Sequence, residues 1–520
     1  MVELAEAPAL ISEAPRPVAA ARGRFVRFRA WPISKQVLLL ILVIYVAKEG
    51  LAVVVFPPFT GHDEVAHFAY IETVVKDHRV PVVVDLAQWR KTSPTGQRGT
   101  YDALPTSLYK YCPYALGWFC SIYPGSLWLA NPPKAVTFYG DLYPDDWQYT
   151  ANHPPLYYLL MAPISRLFAH KSPAFQEHVI RVGAIPFGLI VVIFAFLLAQ
   201  MLFPGDLFMI STVTALVAFQ PQISYEAAMV NNDITSIASM SVMLYLLIRA
   251  LRFGVTWRLA ALIGATLGIG LLFKSTMIVA IPLATVAIVL SVGWKNVREW
   301  LAKGAVVAGI AGLLVWPWYV FLYRTYGNFS ALPQIKALQY NWTYFNQTKP
   351  TIFSQLFNRA FATGRWREVW GEFGWRLIHL HRILLWVIGA PFIVATIGLI
   401  WWAVVQFKRR REIRGIPSQG FTGTAVTPVG WQVQSVGLLG LAGAIAYFSI
   451  LQFGLTFSLT QSRYAFPAVN AFAVLAMLGL RTLIPARFLR HAQAFIVFGL
   501  LALNVVIFTQ YVIPYWYLSN

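Results

Sequence analysis

The sequence predicts an all-α polytopic membrane protein with about eleven transmembrane helices and interfacial helices in a long first extracytoplasmic loop. Three observations predict it. Hydrophobic residues make up 58% of the 520 residues and charged residues only 12%, which would leave a soluble domain too little polar surface to cover itself. Apolar runs of about twenty residues recur along the chain, each long enough to cross a hydrocarbon core of roughly 30 Å as a helix. The basic residues stand in short clusters between those runs, where they orient spans and meet anionic headgroups. That placement assigns the formal charge of +20 to membrane topology and not to nucleic acid. No stretch is long and polar enough to be a separate soluble enzyme.

Taken in order, residues 1–36 form an Ala/Pro-rich and then basic cytoplasmic tail with Arg22, Arg24, Arg27, Arg29 and Lys35. The apolar run that follows lacks an A-x-A-like cleavage site and reads as a retained anchor, not a cleaved signal peptide. Spans are predicted at 37–56, 180–203, 207–225, 233–251, 258–273, 276–293, 304–323, 383–406, 431–456, 464–481 and 492–513. A twelfth apolar stretch, HPPLYYLLMAPISRLFAH at 153–170, is short, opens with two prolines and carries Arg166 near its end. Leaving it out, with the N-terminus inside, gathers RALRFGVTWR, WKNVREWLAK, KRRREIR and RTLIPARFLRH on the cytoplasmic side. Counting it turns all four outward, against the positive-inside rule. The stretch therefore reads as a helix in the outer interface, with Tyr157 and Tyr158 at headgroup depth.

The domain reading follows from these spans. A transmembrane module, 37–323, includes the first outer loop, 57–179; a Trp- and Arg-rich outer loop, 324–382, precedes the C-terminal helices of 383–520. The longest cytoplasmic loop, 407–430, reads as a flexible tether. Most acidic residues fall in outer segments, so polar chemistry is expected on that face. Cys112 and Cys120 share one outer loop and are either disulfide-bonded or two free thiols. No internal repeat is visible, which disfavours transporter folds built from repeated halves.

Candidate functional residues cluster in short motifs. PPFTGHDEVAHF at 57–68 places His62, Asp63, Glu64 and His67 within one helical turn at the mouth of the first span. Thr60 and Asp63 fit a capping box, but that accounts for one carboxylate only. Paired ionisable groups beside a bilayer are costly and tend to be functional. His67 lies four residues after Asp63 and three after Glu64, so the three share a helix face. A metal site is the weaker reading, because the spacing is not H-E-x-x-H. In YPDDWQYTANHPPLYYLL, Asp145 and Asp146 read as a turn, whereas His153 is held between an Asn and two prolines at a helix start. Asn232 and Asp233 read first as a helix cap, with Asp233 a second carboxylate on the same face.

Lys274 and Arg463 lie at the outer boundary, opposite to the bias of the short loops. One such residue is an ordinary headgroup contact; two beside carboxylates suggest a site for a phosphate that stays in the membrane plane. GRWREVWGEFGWRLIHLHR at 364–382 reads as an interfacial aromatic belt. Its sharper alternative is Trp stacking on sugars, with Arg365, Arg367 and Glu372 as polar handles. Lys48 and Glu49, adjacent within the first span, are expected to pair toward the bundle interior.

Together the first-loop acidic pair, the HPPLYYLL helix, the NND after the third span, the Lys after the fifth and the late SRYAFP resemble the GT-C superfamily of glycosyltransferases that use polyprenyl-phosphate sugars. Protein O-mannosyltransferases and the aminoarabinose transferase of lipid A are members, and VWGEFGW with SRYAFP looks closer still to an uncharacterised bacterial branch. The resemblance implies a GT-C-like fold, Asp63 as catalytic base with Glu64 beside it, and matches His153 to the histidine of the HPP helix and Asp233 to the acid of the second outer loop; His67, Arg365, Glu372 and Tyr464 are further expected substrate-binding residues. It associates Lys274 and Arg463 with the lipid-linked phosphate. The extra lumenal domain of the protein mannosyltransferases is not found in the sequence, which argues against a protein acceptor.

The chemistry asks for the same residue types: a base for the acceptor hydroxyl, opposed by cations on the leaving phosphate, with the reactants held in line. No cofactor is required; a divalent metal would be compatible, but no motif indicates one. The expected function is sugar transfer from a polyprenyl-phosphate donor to an envelope glycan, lipid or protein. It would take place on the extracytoplasmic face of a prokaryotic plasma (inner) membrane, among membrane lipids. The alternative is a transporter or flippase of lipid-linked sugars, which would need polar groups through the bundle; the spans between 258 and 323 offer almost none.

Overall fold

A computed structural model of the protein describes residues 31–82, 136–138, 141–143, 150–334, 350–374, 377–412, 424–455 and 461–518. Most of the N-terminal tail, Cys112 and Cys120, the Asp145–Asp146 turn and the centre of the 407–430 tether lie outside the described residues.

The described residues are predominantly helical. They comprise α1 (Ile33–Val55), α2 (Glu64–Asp77), α3 (Leu156–Leu167), α4 (Pro173–Leu202), α5 (Leu207–Phe219), α6 (Pro221–Ala227), α7 (Asp233–Phe253) and α8 (Trp257–Phe273). There follow α9 (Ala280–Val292), α10 (Val297–Tyr326), α11 (Ile352–Phe357), α12 (Arg359–Trp370), α13 (Arg382–Glu412), α14 (Gly430–Gly454), α15 (Val469–Leu483) and α16 (Leu489–Ile507). Short 3-10 turns, Ser275–Val279 and Ser462–Ala468, lead into α9 and α15. Strands Val136–Phe138 and Asp141–Tyr143 pair antiparallel, and Glu372–Phe373 pairs antiparallel with Ile378–His379.

Nine helices among the described residues are long and apolar enough to cross a membrane, ten if α5 and α6, bent by 56°, are one span. The sequence predicts eleven. The remaining one is α8, whose 17 residues rise about 26 Å, short of the hydrocarbon core. It still runs the length of the bundle: Lys274 after its last residue bonds Asp233 at the start of α7. At the other end of α7, Arg252 donates to the Met201 carbonyl of α4. The chain therefore alternates between two ends. One end carries the loop after α1, the start of α7, Lys274 and Arg463; the other carries Arg252, Lys303 and Arg481.

Local sequence explains where the helices start and break. Ser172, Asp206 and Thr256 cap α4, α5 and α8 by accepting from the N–H groups of Phe175, Met209 and Leu259, as N-cap residues do. Between α5 and α6, Pro221 removes a donor and the helix bends. The orphaned carbonyls find side chains from other helices: Lys48 Nζ donates to Ala218 O at 2.5 Å and Asn504 Nδ2 to Phe219 O at 2.7 Å. Lys48 also lies 3.4 Å from Glu49. Both are buried, so the pair expected inside the bundle is there, serving a broken helix.

Two local expectations are corrected. Tyr157 and Tyr158 are fully buried instead of lying among headgroups; α3 packs against α2, with the Tyr158 ring stacked 3.6 Å from Tyr70. The Thr60–Asp63 capping box is absent: the Thr60 hydroxyl donates to Pro57 O, and Asp63 is the N-cap itself, left-handed at φ 56°, with no capping bond.

Lys48→Met leaves Glu49 buried without its cation and Ala218 O without a donor. Breaking such a pair costs about 3–5 kcal/mol. Thermal unfolding in nanodiscs is expected to show a clear loss of stability for Lys48→Met, much of it regained in Lys48→Met/Glu49→Leu.

Candidate functional site

The segment after α1 is held by alternate residues. Tyr225 Oη donates to Thr60 O at 2.5 Å, His62 Nδ1 lies 3.0 Å from Glu226 Oε1, and Val230 N–H donates to Glu64 Oε1 at 2.7 Å. Positions 60, 62 and 64 thus face residues 225–230. Gly61 fits between because a Cβ there would meet Met229 at 2.9 Å. Glu64 goes further: it accepts from Gly61 N–H at 2.8 Å and from Arg181 Nε and Nη2 at 2.9 and 2.7 Å. Arg181, fully buried, also donates to the carbonyls of Phe56 and Pro57 and pairs with Glu177. Burial pushes the Glu64 carboxyl up, but the Arg181 guanidinium and these donors hold it below its ordinary value.

With its neighbours engaged, Asp63 turns the other way, to Arg463 Nη2. A left-handed backbone costs a non-glycine residue of order 1–3 kcal/mol, and that ion pair offsets it. Arg463 Nη1 lies 3.4 Å from Asp233 Oδ2, and Asp233 Oδ1 accepts from Lys274 Nζ at 2.5 Å. Asp63, Arg463, Asp233 and Lys274 form one string of alternating charge, drawn from the start of α2, the turn before α15, the start of α7 and the break between α8 and α9. Arg463 Nε and Nη1 and Asp233 Oδ2 are buried without hydrogen-bond partners, so donors remain for an incoming anion.

One wall is aromatic. His67 Nδ1 shares a 2.8 Å hydrogen bond with Tyr158 Oη, which lies 3.3 Å from His153 Nδ1; the two imidazoles stand 5.4 Å apart. Burial takes the His67 imidazole down to about 4, and burial with the Lys274 charge holds His153 well below its ordinary value. Both are neutral at pH 7. Burial raises the Asp63 carboxyl, but the Arg463 guanidinium, with lesser help from His67 and His62, brings it below the usual carboxylate range.

The other expected residues have partners of their own. Arg365 pairs with Glu368 at 2.6 Å, and Glu368 accepts from Ser462 N–H at 2.8 Å, anchoring the residue before Arg463. Glu372 pairs with Arg367 and His379, on the short hairpin. Trp370 is buried and packs on Phe392, so it serves the core and not a sugar face or a headgroup layer. Tyr464 packs on Phe453 at 4.5 Å and lines an apolar cavity of about 190 Å³ with Met240, Thr276, Leu283 and Phe453. Among the described residues no three His, Cys, Asp or Glu side chains come together to hold a metal ion.

The cap of α7 is shifted by one residue from expectation. Asn231 Oδ1, not Asn232, accepts from Asp233 N–H at 2.9 Å, while Asn232 donates to Phe273 O and accepts from Lys274. Sequence reasoning missed Arg181, Glu177 and Glu226. The first two carry a usable signal: a Glu and an Arg at i, i+4 beginning an apolar span are costly unless paired inside it.

Residues 152–320 match the family described as Dolichyl-phosphate-mannose-protein mannosyltransferase. The segment includes His153, Arg181, Glu226, Asp233 and Lys274, and the match agrees with the resemblance carried by the motifs. No curated protein matches the chain in sequence. Among solved structures it is similar to ArnT from Cupriavidus metallidurans bound to undecaprenyl phosphate, at 13% identity and a TM-score of 0.42, over 92% of this chain and 73% of that one. It is also similar to the Archaeoglobus fulgidus oligosaccharyltransferase in complex with Zn and sulfate, at 14% identity and a TM-score of 0.49. That alignment covers 90% of this chain and 52% of the other, so this chain spans about half its length.

The buried histidines set an acid sensitivity. The unfolded chain binds a proton on His67 near its ordinary value of 6.5, the folded chain only near 4. Between those values the unfolded state holds more protons, so stability falls as pH falls. His67→Gln is expected to flatten the decline of melting temperature between pH 6.5 and 4, and an unchanged slope would contradict the neutral, buried imidazole.

Proposed function

We propose that the protein is a GT-C-type membrane glycosyltransferase that moves a sugar from a polyprenyl-phosphate donor to an envelope acceptor, with inversion at the anomeric carbon. The observation that carries this reading is the alternating string Asp63–Arg463–Asp233–Lys274, in which an acid able to accept a proton meets cations able to hold a phosphate. The family match over residues 152–320 supports it. The basic clusters of the opposite end favour a cytoplasmic position for that end and an extracytoplasmic site.

In this mechanism the donor phosphate enters between Lys274 and Arg463, whose unpartnered guanidinium donors receive it. The apolar cavity beside Tyr464 takes the part of the lipid tail nearest the phosphate. A phosphate on Arg463 competes with Asp63 for the guanidinium. The carboxylate is thereby released, and its basicity rises as the opposite charge is shared. Asp63 accepts the proton of the acceptor hydroxyl as that oxygen attacks the anomeric carbon. The bond from that carbon to the phosphate oxygen breaks, and the electron pair leaves on the polyprenyl phosphate, stabilised by the two cations. Glu64, saturated by Arg181 and two backbone donors, positions Asp63 and takes no proton. Because a carboxylate suffices as base and the leaving group is a monophosphate, the reaction requires no metal. The neutral histidine wall suits an acceptor hydroxyl better than an anionic group. The acceptor class spans envelope lipid, polysaccharide or protein, and the transferred sugar a hexose or a pentose.

Two variants test this with purified protein in nanodiscs and a radiolabelled polyprenyl-phosphate sugar. Asp63→Asn is expected to lower kcat by about 10²–10⁴-fold, the usual size of a general-base contribution, while binding polyprenyl phosphate at least as tightly as wild type. Lys274→Met is expected to raise the donor KM by about tenfold or more. Undiminished transfer by well-folded Asp63→Asn rejects the base assignment. A wild-type protein that moves the lipid-linked sugar across the membrane and leaves its phosphate bond intact would be a transporter.

A further inference from the structure

Glu226 lies seven residues before Asp233, fully buried, with each carboxylate oxygen engaged by a different segment. Oε1 is 3.0 Å from His62 Nδ1, and Oε2 accepts from Asn231 Nδ2 at 2.9 Å. A carboxylate can only accept here, so His62 Nδ1 carries the proton of that bond and its tautomer is fixed. His62 precedes Asp63; Asn231 Oδ1 in turn accepts from Asp233 N–H at 2.9 Å. One buried carboxylate therefore reaches both acids of the charge string, each through a neighbour. Tyr225 reinforces the arrangement, since its hydroxyl holds Thr60 O and its ring stands edge-on to His62 at 5.5 Å.

We propose that Glu226 is a positioning residue that yokes the Asp63 loop to the Asp233 cap and so fixes the separation of the proton-accepting group and the phosphate clamp. The inference rests on the glycosyl-transfer reading and deepens it. Neither acid is held by its own secondary structure: Asp63 sits at a left-handed helix start without a capping bond, and the Asn232 that precedes α7 makes no side-chain cap. Their relative placement comes from side chains, and Glu226 reaches both. A displacement of about 1 Å between reacting groups costs on the order of 10²-fold in rate, so such a yoke acts on turnover more than on donor binding.

Glu226→Gln keeps the volume but removes the charge: an amide N–H₂ toward Asn231 sets donor against donor, and one toward His62 forces the imidazole proton to Nε2, so one limb is released or loses its fixed tautomer. The expected result is a kcat lowered about 10–100-fold with a donor KM within about threefold of wild type. His62→Gln cuts one limb without touching Glu226, and the double variant is expected to be no slower than Glu226→Gln. A second readout needs no turnover. In otherwise wild-type protein, Asp63→Asn removes the carboxylate that competes with phosphate for Arg463 and is expected to tighten undecaprenyl phosphate binding several-fold. In the Glu226→Gln background, where Asp63 is no longer held against Arg463, the tightening is expected to shrink below about twofold.

Wild-type kcat and equal tightening in both backgrounds would overturn the yoke, as would a loss of activity that tracks only the folded fraction. If Glu226→Gln does not fold, His62→Gln decides by the same two measurements. A wild-type protein with neither sugar transfer nor undecaprenyl phosphate binding would bring down the glycosyl-transfer reading, and this inference with it. An active wild type with unaffected variants removes the yoke alone.

Discussion

The end of the bundle that carries the candidate site is organised around one buried guanidinium. Arg181 lies in α4 with no exposure, where an uncompensated charge would be untenable. Its neutralisation draws in Glu177 from its own helix, Glu64 from α2 and two carbonyls at the end of α1. Those partners are what bend the chain after α1 into a fixed loop. The same loop binds residues 225–230 through every second residue, and Asp63, the side chain left between, pairs with Arg463. A requirement of charge burial thus becomes the orientation of the proposed base.

A second electrostatic layer follows. The two carboxylates Asp63 and Asp233 and the two cations Lys274 and Arg463 cancel one another, so four ionised groups can be nearly buried together. Cancellation also makes the site responsive. In the proposed mechanism an arriving phosphate adds negative charge to an arrangement with buried donors in reserve, and the carboxylate it displaces from Arg463 gains basicity when a proton must be taken. The histidine wall contributes by remaining neutral, because burial outweighs the nearby acids at both His67 and His153.

The broken helix α5–α6 delivers the rest. A straight span would carry Glu226 and Asn231 past the site. The bend at Pro221, with its freed carbonyls satisfied by Lys48 and Asn504, turns the following residues under the Asp63 loop. The Lys48–Glu49 pair deep in α1 therefore supports a candidate site it does not touch.

Much of this was legible in the chain. Apolar run length located the membrane-length helices, because it is a property of residues close in sequence, but not α11 and α12, which lie in the stretch read as an outer loop. Adjacent ionisable residues beside a span marked Asp63 and Glu64, and cations against the topological bias marked Lys274 and Arg463, since charge near hydrocarbon is costly enough to need a reason. Sequence did not determine which of the adjacent acids would pair with Arg463 and which would be saturated by Arg181. Nor did it determine that Tyr157 and Tyr158 would face protein instead of headgroups, or that Glu226 would join two acids. Those outcomes depend on donors from residues up to 400 positions away, and a carboxylate's role is set by what reaches it across the fold, not by its neighbours along the chain.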